Sequence, residues 1–298
     1  MRSHSVYLID ASIYIFRYYF TLPDHWHSRD NFSTAAVYGY TMWLIRLLRS
    51  QRPVQVAACF DESLESCFRN QIYPHYKCSR ALPDAALAFQ LSACKQITEL
   101  MGIPTYASPN FEADDLIGTL AHRIQKKKLG CTIVSRDKDL GQLLVNKTMA
   151  LWDFPDGLTM GPLEIKQKWG VHPHQIADYL ALVGDPGDDI PGVPSIGAKT
   201  AVSLLTAFGS WAQIKTNLDK VECLPLRGAG TIAKRLIEYR QQVDMAIQLS
   251  RIQIAAPLGR KFSVTRRKLN PKLLCEHSDY LGFGRRFHTS VAKLMAVL

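Results

Sequence analysis

Nine acidic residues stand where solubility alone does not require them. The apolar run "SVYLID" ends in Asp10, and "VQVAACFD" ends in Asp61. "CTIVS" leads directly to Asp137 and Asp139. "EADD" puts Glu112, Asp114 and Asp115 at the start of an amphipathic run, with 112 and 115 on one helix face. Asp185 and Asp188, again three apart, close "LALVGDPGDD". Each acid alone reads as a helix cap or a solvated turn. Together they read differently, because ligand sites in an open parallel sheet lie beyond the carboxyl ends of the strands. Crowded carboxylates are costly unless compensated, and hard divalent cations such as magnesium bind oxygen ligands. Two such ions about 4 Å apart would serve the attacking water and the leaving oxygen of a phosphodiester.

The rest of the chain has the opposite charge. Of 26 acidic residues the nine above leave 17, against 36 lysines and arginines, an excess of 19 positive charges. The formal net charge is +10, which favours an anionic partner such as nucleic acid. Apolar residues make up 47% of the 298, enough for a sizeable core. The seven cysteines form no Cys-x-x-Cys pair, which argues for free thiols and against zinc. No apolar run reaches about 18 residues and only "MRSH" precedes the first strand. A soluble protein of the bacterial cytosol, with no membrane association, is expected. Phosphatases of the haloacid dehalogenase type also use a strand-end aspartate, with a second two residues on. Here that place is Ser12.

Strands predicted at 5–10, 54–61 and 131–135 alternate with helices at 37–51, 87–102 and 113–128, and "ASIYIFRYYF" forms a further helix. That rhythm specifies an α/β fold with a mostly parallel sheet flanked by helices. From about 160 the chain reads as helical, including one run over "TIAKRLIEYRQQVDMAIQLSRI". We therefore divide it into an α/β domain, 1–160, and a helical module, 161–298, with a basic tail carrying Arg266, Arg267, Lys268, Arg285 and Arg286. Within the module, Gly192 and Gly197 bracket Val193, Pro194, Ser195 and Ile196, and Lys199 and Thr200 open the next helix. This is the pattern of a helix–hairpin–helix. Glycines admit close backbone approach, and N–H groups at the helix start can donate to a phosphate without reading bases. A glycine C-cap before an ordinary helix is the alternative. The aromatic run Tyr14, Phe16, Tyr18, Tyr19, Phe20 and Trp26 reads as core packing or as a base-stacking platform.

"LIDASIYIFR", "FDESLESCFRNQIYPHYKCSR", "FEADDLIGTLA", "SRDKDLGQLL" and "LALVGDPGDDIPGVPSIGAKTAVSLL" together resemble, in order, the 5′-nuclease family. That family includes the N-terminal nuclease domain of bacterial DNA polymerase I, phage 5′ nucleases and eukaryotic flap endonucleases. The resemblance runs from about residue 6 to about 250. It implies a PIN-like fold and structure-specific 5′–3′ exonuclease and 5′-flap endonuclease activity on DNA, leaving 5′-phosphate and 3′-hydroxyl ends. It also implies that all nine acids bind two magnesium ions, for which manganese can substitute, with Asp137 among the catalytic residues. Lys77 and Arg80 would steady the scissile phosphate at the base of a helical arch over 78–95, with Tyr76 stacking on a base. Arg17 and Arg69 match DNA-binding positions. Gly192, Val193, Ser195, Ile196, Gly197, Lys199 and Thr200 would bind duplex, with carbonyls near Val193 and Ile196 holding potassium.

The expected partner is DNA with a free 5′ end, a flap or a nick. The protein is expected to be a monomer, with any polymerase a separate chain. Arg136, where glycine is usual, Asp189, where asparagine is usual, and Pro186-Gly187 depart from the pattern. A non-catalytic branched-DNA-binding protein and an RNA-processing PIN-type nuclease are the rivals. The intact acids speak against the first and the hairpin against the second.

Overall fold

A computed structural model of the chain describes residues 5–63, 66–155, 157–259 and 262–298. Leu64 and Glu65, in the second of the motifs above, lie outside them. Among the described residues six strands form one sheet: β1 (Ser5–Asp10), β2 (Val56–Asp61), β3 (Thr105–Ser108), β4 (Gly130–Val134), β5 (Met149–Trp152) and β6 (Thr159–Met160). Their order is β3-β2-β1-β4-β5-β6. All neighbours are parallel except the β5–β6 pair. Among the described residues five α-helices accompany the sheet: α1 (Ala11–Thr21), α2 (Ala35–Gln51), α3 (Phe68–Ile72), α4 (Ala85–Leu100) and α5 (Ala113–Lys126). Nine more α-helices of the described residues follow: α6 (Pro162–Trp169), α7 (Ile176–Val183), α8 (Ala198–Phe208), α9 (Trp211–Thr216), α10 (Leu218–Val221), α11 (Ala229–Glu238), α12 (Arg240–Ser250), α13 (Pro271–Tyr280) and α14 (Arg285–Met295). None of these helices is long and apolar enough to cross a membrane.

Both faces of the sheet are covered, which is why its strands read as unbroken apolar runs. Val6, Leu8, Cys59 and Ile133 enter a core with α5 and the helical module, through residues such as Leu116, Leu180, Leu204 and Leu249. Ile9, Ala58, Phe60 and Val134 enter a second core with α1, α2 and α4. Leu274, Phe287 and Leu294 of α13 and α14 belong to that second core. The chain beyond about 270 therefore packs back on the sheet domain and is not part of the helical module. The single helix expected over 231–252 is two, because the chain turns at Tyr239 and α12 swings onto α7. The expected helical arch is also different. Residues 78–84 form turns and extended chain, and α4 begins at Ala85. Ala93, Cys94 and Ile97 of α4 are buried in the second core, so its later turns are framework.

Candidate active site

Each of the three central strands delivers an acid to the same edge. Asp10 ends β1 and caps α1, accepting from the Ile13 N–H at 3.4 Å. Asp61 ends β2, and its Oδ1 accepts from the Ala113 N–H at 2.7 Å, at the start of α5. After β4, the Ser135 hydroxyl donates to Asp10 Oδ2 at 2.7 Å and accepts from the Asp137 N–H at 3.0 Å. Asp137 Oδ1 then accepts from the Asp139 N–H at 2.8 Å. Ser135 is wholly buried and joins two of the acidic stretches. It was missed in the sequence, where a serine after a strand carries no signal by itself.

Asp10, Asp61, Glu112, Asp114, Asp137, Asp139 and Asp188 line one cavity of about 190 Å³, with Lys77 and Arg80. Lys77 Nζ lies 2.5 Å from Glu112 and 3.6 Å from Asp188, and Arg80 pairs with the other oxygen of Asp188. Burial, then repulsion from Asp61, pushes Asp10 up to about 7. Burial, then Asp137 and Asp185, pushes Asp139 up to about 8. Burial also raises Asp61, Asp114 and Asp137, and their acidic neighbours add to it. Glu112 goes the other way: burial opposes its charge, but Lys77 and Arg69 outweigh it and hold the carboxyl below its usual range. Asp139 Oδ1 is buried without a hydrogen-bond partner. Among the described residues no three acidic, histidine or cysteine side chains already stand as a metal ligand set. The carboxylates share one cavity, and cations and hydrogen bonds hold them in place.

Four expected roles change. Asp115 does not line the cavity. It is fully buried, and Arg69 grips it through two bonds of 2.7 and 2.8 Å. It also accepts from the Gln253 and Glu112 N–H groups, so its oxygens are committed to structure. Arg69, 2% exposed, lines the floor of the cavity, but its guanidinium is committed to protein: it donates to the Leu249 and Arg251 carbonyls as well and lies 3.1 Å from Glu112. Asp185 stands at the margin of the cavity, where its charge helps to raise Asp139; it accepts from the Gly187 N–H at 3.0 Å and stands 3.7 Å from Lys138. Tyr76 is 3% exposed and its hydroxyl donates to Glu112 at 3.0 Å, so it orients a carboxylate and has no face free for a base. Two departures from the family pattern are accommodated. Asp189, in the left-handed region at φ 55°, accepts from the N–H and hydroxyl of Ser79, pinning the turn that carries Lys77 and Arg80. Arg136 pairs with Asp153 at 3.3 Å.

The hairpin follows α7. Val193 and Ile196 are buried, and the Val193 carbonyl accepts from the Ile196 N–H at 3.0 Å. Gly192 is needed for packing rather than for ligand approach, since a Cβ there would meet the Val183 carbonyl at 2.2 Å. Gly197 is open, with nothing within 4 Å of a built Cβ, and it starts α8 with no side-chain cap. Gly197 and Lys199 are exposed and Thr200 half-exposed. Arg17, half-exposed on α1, lines a separate groove with Arg46 and Arg49 and does not face the acids.

An open parallel sheet with a carboxylate cavity at its carboxyl edge, joined to a hairpin-bearing helical module, defines a nuclease of the α/β class. Residues 5–170 match the family model "5′-3′ exonuclease, N-terminal resolvase-like domain", and 171–271 match "5′-3′ exonuclease, C-terminal SAM fold". The chain belongs to the 5′-3′ exonuclease family. It is 33% identical over 271 residues to a 5′-3′ exonuclease of Buchnera aphidicola subsp. Schizaphis graminum, covering 91% of this chain and 92% of that one. It is 36% identical over 218 residues to DNA polymerase I of Mycobacterium bovis, covering 72% of this chain but only 24% of the polymerase. The fold is similar to that of the bacteriophage T5 D15 flap endonuclease solved in a pseudo-enzyme-product complex with DNA and metal ions. The TM-score is 0.66 and the identity 18%, with 98% of each chain covered.

Proposed function

We propose that the chain hydrolyses DNA phosphodiesters near a free 5′ end, as an exonuclease and as a flap endonuclease, with two divalent metal ions, magnesium by preference. The observation that carries this reading is the convergence of seven carboxylates and three cations, Arg69, Lys77 and Arg80, on one cavity. The donor set fits hard cations. It is all oxygen, it holds a buried carboxylate oxygen without a partner, and burial and mutual repulsion raise five of its acids. When bound, such ions supply Lewis acidity toward water and the phosphoryl oxygens. Asp10, Asp61, Glu112, Asp114, Asp137, Asp139 and Asp188 would hold them.

The chain's own residues do the rest. Lys77 is half-buried and its charge is secured by Glu112 and Asp188, against the effect of burial. With Arg80 it places positive charge where the phosphodiester would lie, which favours a transition state richer in negative charge. Tyr76 fixes Glu112, and Ser135 fixes Asp10 against Asp137. The products would carry 5′-phosphate and 3′-hydroxyl ends. The open start of α8, with Lys199, would bind the duplex backbone, and the Val193 and Ile196 carbonyls are the groups to which potassium would bind.

A 5′-flap duplex incubated with magnesium should release the flap as a fragment with a 3′-hydroxyl, and chelation or Asp137→Ala should stop the release with DNA binding retained. Cleavage that persists in a chelator, or in Asp137→Ala, would remove the cavity from the mechanism.

A further inference from the structure

The hairpin tip is held from outside by a residue that no motif singles out. Val193 through Ile196 make a tight turn, with Pro194 second and Ser195 third, and Ser195 has φ 64°. That is the arrangement of a type II turn, whose third position favours glycine. A serine there is strained, and the surroundings must maintain it. The turn also leaves its central carbonyl, on Pro194, without a partner inside the turn. Arg235, forty residues on in α11, meets both needs. Its Nη1 donates to the Pro194 carbonyl and to the Ser195 hydroxyl, each at 2.6 Å. Behind the tip, Val193 and Ile196 are anchored in the core, and Gln242 donates to the Gly192 carbonyl at 2.8 Å. Ahead of it, Gly197 opens directly into the uncapped start of α8. The direction of the first N–H groups of α8 is thus set by a turn that Arg235 closes.

We propose that Arg235 is a positioning residue for duplex binding: it locks the hairpin tip in the conformation that aims the start of α8 at the DNA backbone. This rests on the reading of the hairpin as the duplex-binding element. Among the described residues Nη2 and Nε of Arg235 make no hydrogen bond. The residue stands apart from the acidic cavity. Its loss therefore acts on affinity and not on the chemical step.

The test is a set of variants in the full chain, measured for duplex affinity without metal and for single-turnover cleavage with magnesium. Arg235→Ala is expected to weaken duplex binding about tenfold, the loss of one charge-assisted hydrogen-bond pair, with the saturating cleavage rate unchanged. Arg235→Met keeps the aliphatic stem and should behave as the alanine variant does, which separates the hydrogen bonds from packing. Arg235→Lys keeps the charge but not the fork, and should recover part of the affinity. Lys199→Ala is the control for the hairpin itself. If Lys199→Ala weakens binding while Arg235→Ala and Arg235→Met stay within about twofold of wild type, the positioning role is wrong and the duplex reading stands. If none of the three weakens binding, the hairpin is not the duplex site, and the inference falls with the reading beneath it.

Discussion

Asp10 and Asp139 illustrate a site arranged against the stability of its own fold. Asp10 is buried and Asp139 half-buried, both are repelled by neighbouring carboxylates, and they hold their protons to about 7 and about 8 respectively. A folded-state value above the unfolded one of 3.8 means that the native state binds the extra proton. The resulting destabilisation is absent below that unfolded value and complete above the folded one. Replacing Asp139 with Asn removes one such charge. In chelating buffer the variant should therefore melt higher than wild type, by roughly 2–4 °C at pH 8 and by much less at pH 5. Equal melting temperatures at both values would contradict the electrostatic account. The acids were legible because type and place coincide, an aspartate at the end of an apolar strand. The burial of Tyr76 and Arg69 was not, since an aromatic beside basic residues in a loop looks the same whether it faces solvent or a carboxylate.

Among the elements, the contact that sets α5 is the pair between Arg69 of α3 and Asp115. It also bonds the Leu249 and Arg251 carbonyls and the Gln253 N–H, so it ties the sheet domain to the end of α12. Removing Arg69 leaves Asp115 a buried charge without a cation, at a cost of about 3–5 kcal/mol, whereas removing Asp115 costs less because Arg69 keeps Glu112 at 3.1 Å. Denaturant unfolding of Arg69→Met, Asp115→Leu and the double variant should show the two losses to be strongly non-additive, the double being far milder than their sum. Additive losses would mean that the two act separately. Sequence periodicity located β1, β2, β4 and α1, α2, α4 and α5 within a few residues, but not α3, which has five residues. It missed β3 and β5, four residues each, and β6, which has two, because so short a run shows no period. The arch was misplaced for a different reason: α4 has a buried face that belongs to the second core, and that demand comes from α2 and the C-terminal helices.

Over the whole molecule, the acids are gathered and the bases dispersed, 36 lysines and arginines against 17 acids outside the nine. Duplex affinity measured across a salt series should fall steeply, and Lys199→Ala should lower the slope of log affinity against log salt by about 1. A slope unchanged by that variant would place Lys199 off the backbone. The change from strand–helix alternation to helices alone near 160 was readable, but the return of α13 and α14 to the sheet was not, since amphipathic helices do not announce which apolar face they will cover. The claim on which the rest depends is that the clustered carboxylates are a seat for divalent ions. Manganese titrated into the chelated protein and followed by electron paramagnetic resonance tests it directly. Saturable loss of the free-ion signal is expected, with weaker binding or fewer bound ions in Asp10→Asn and Asp139→Asn. A wild-type protein that takes up no manganese, or variants that bind it as wild type does, would contradict it.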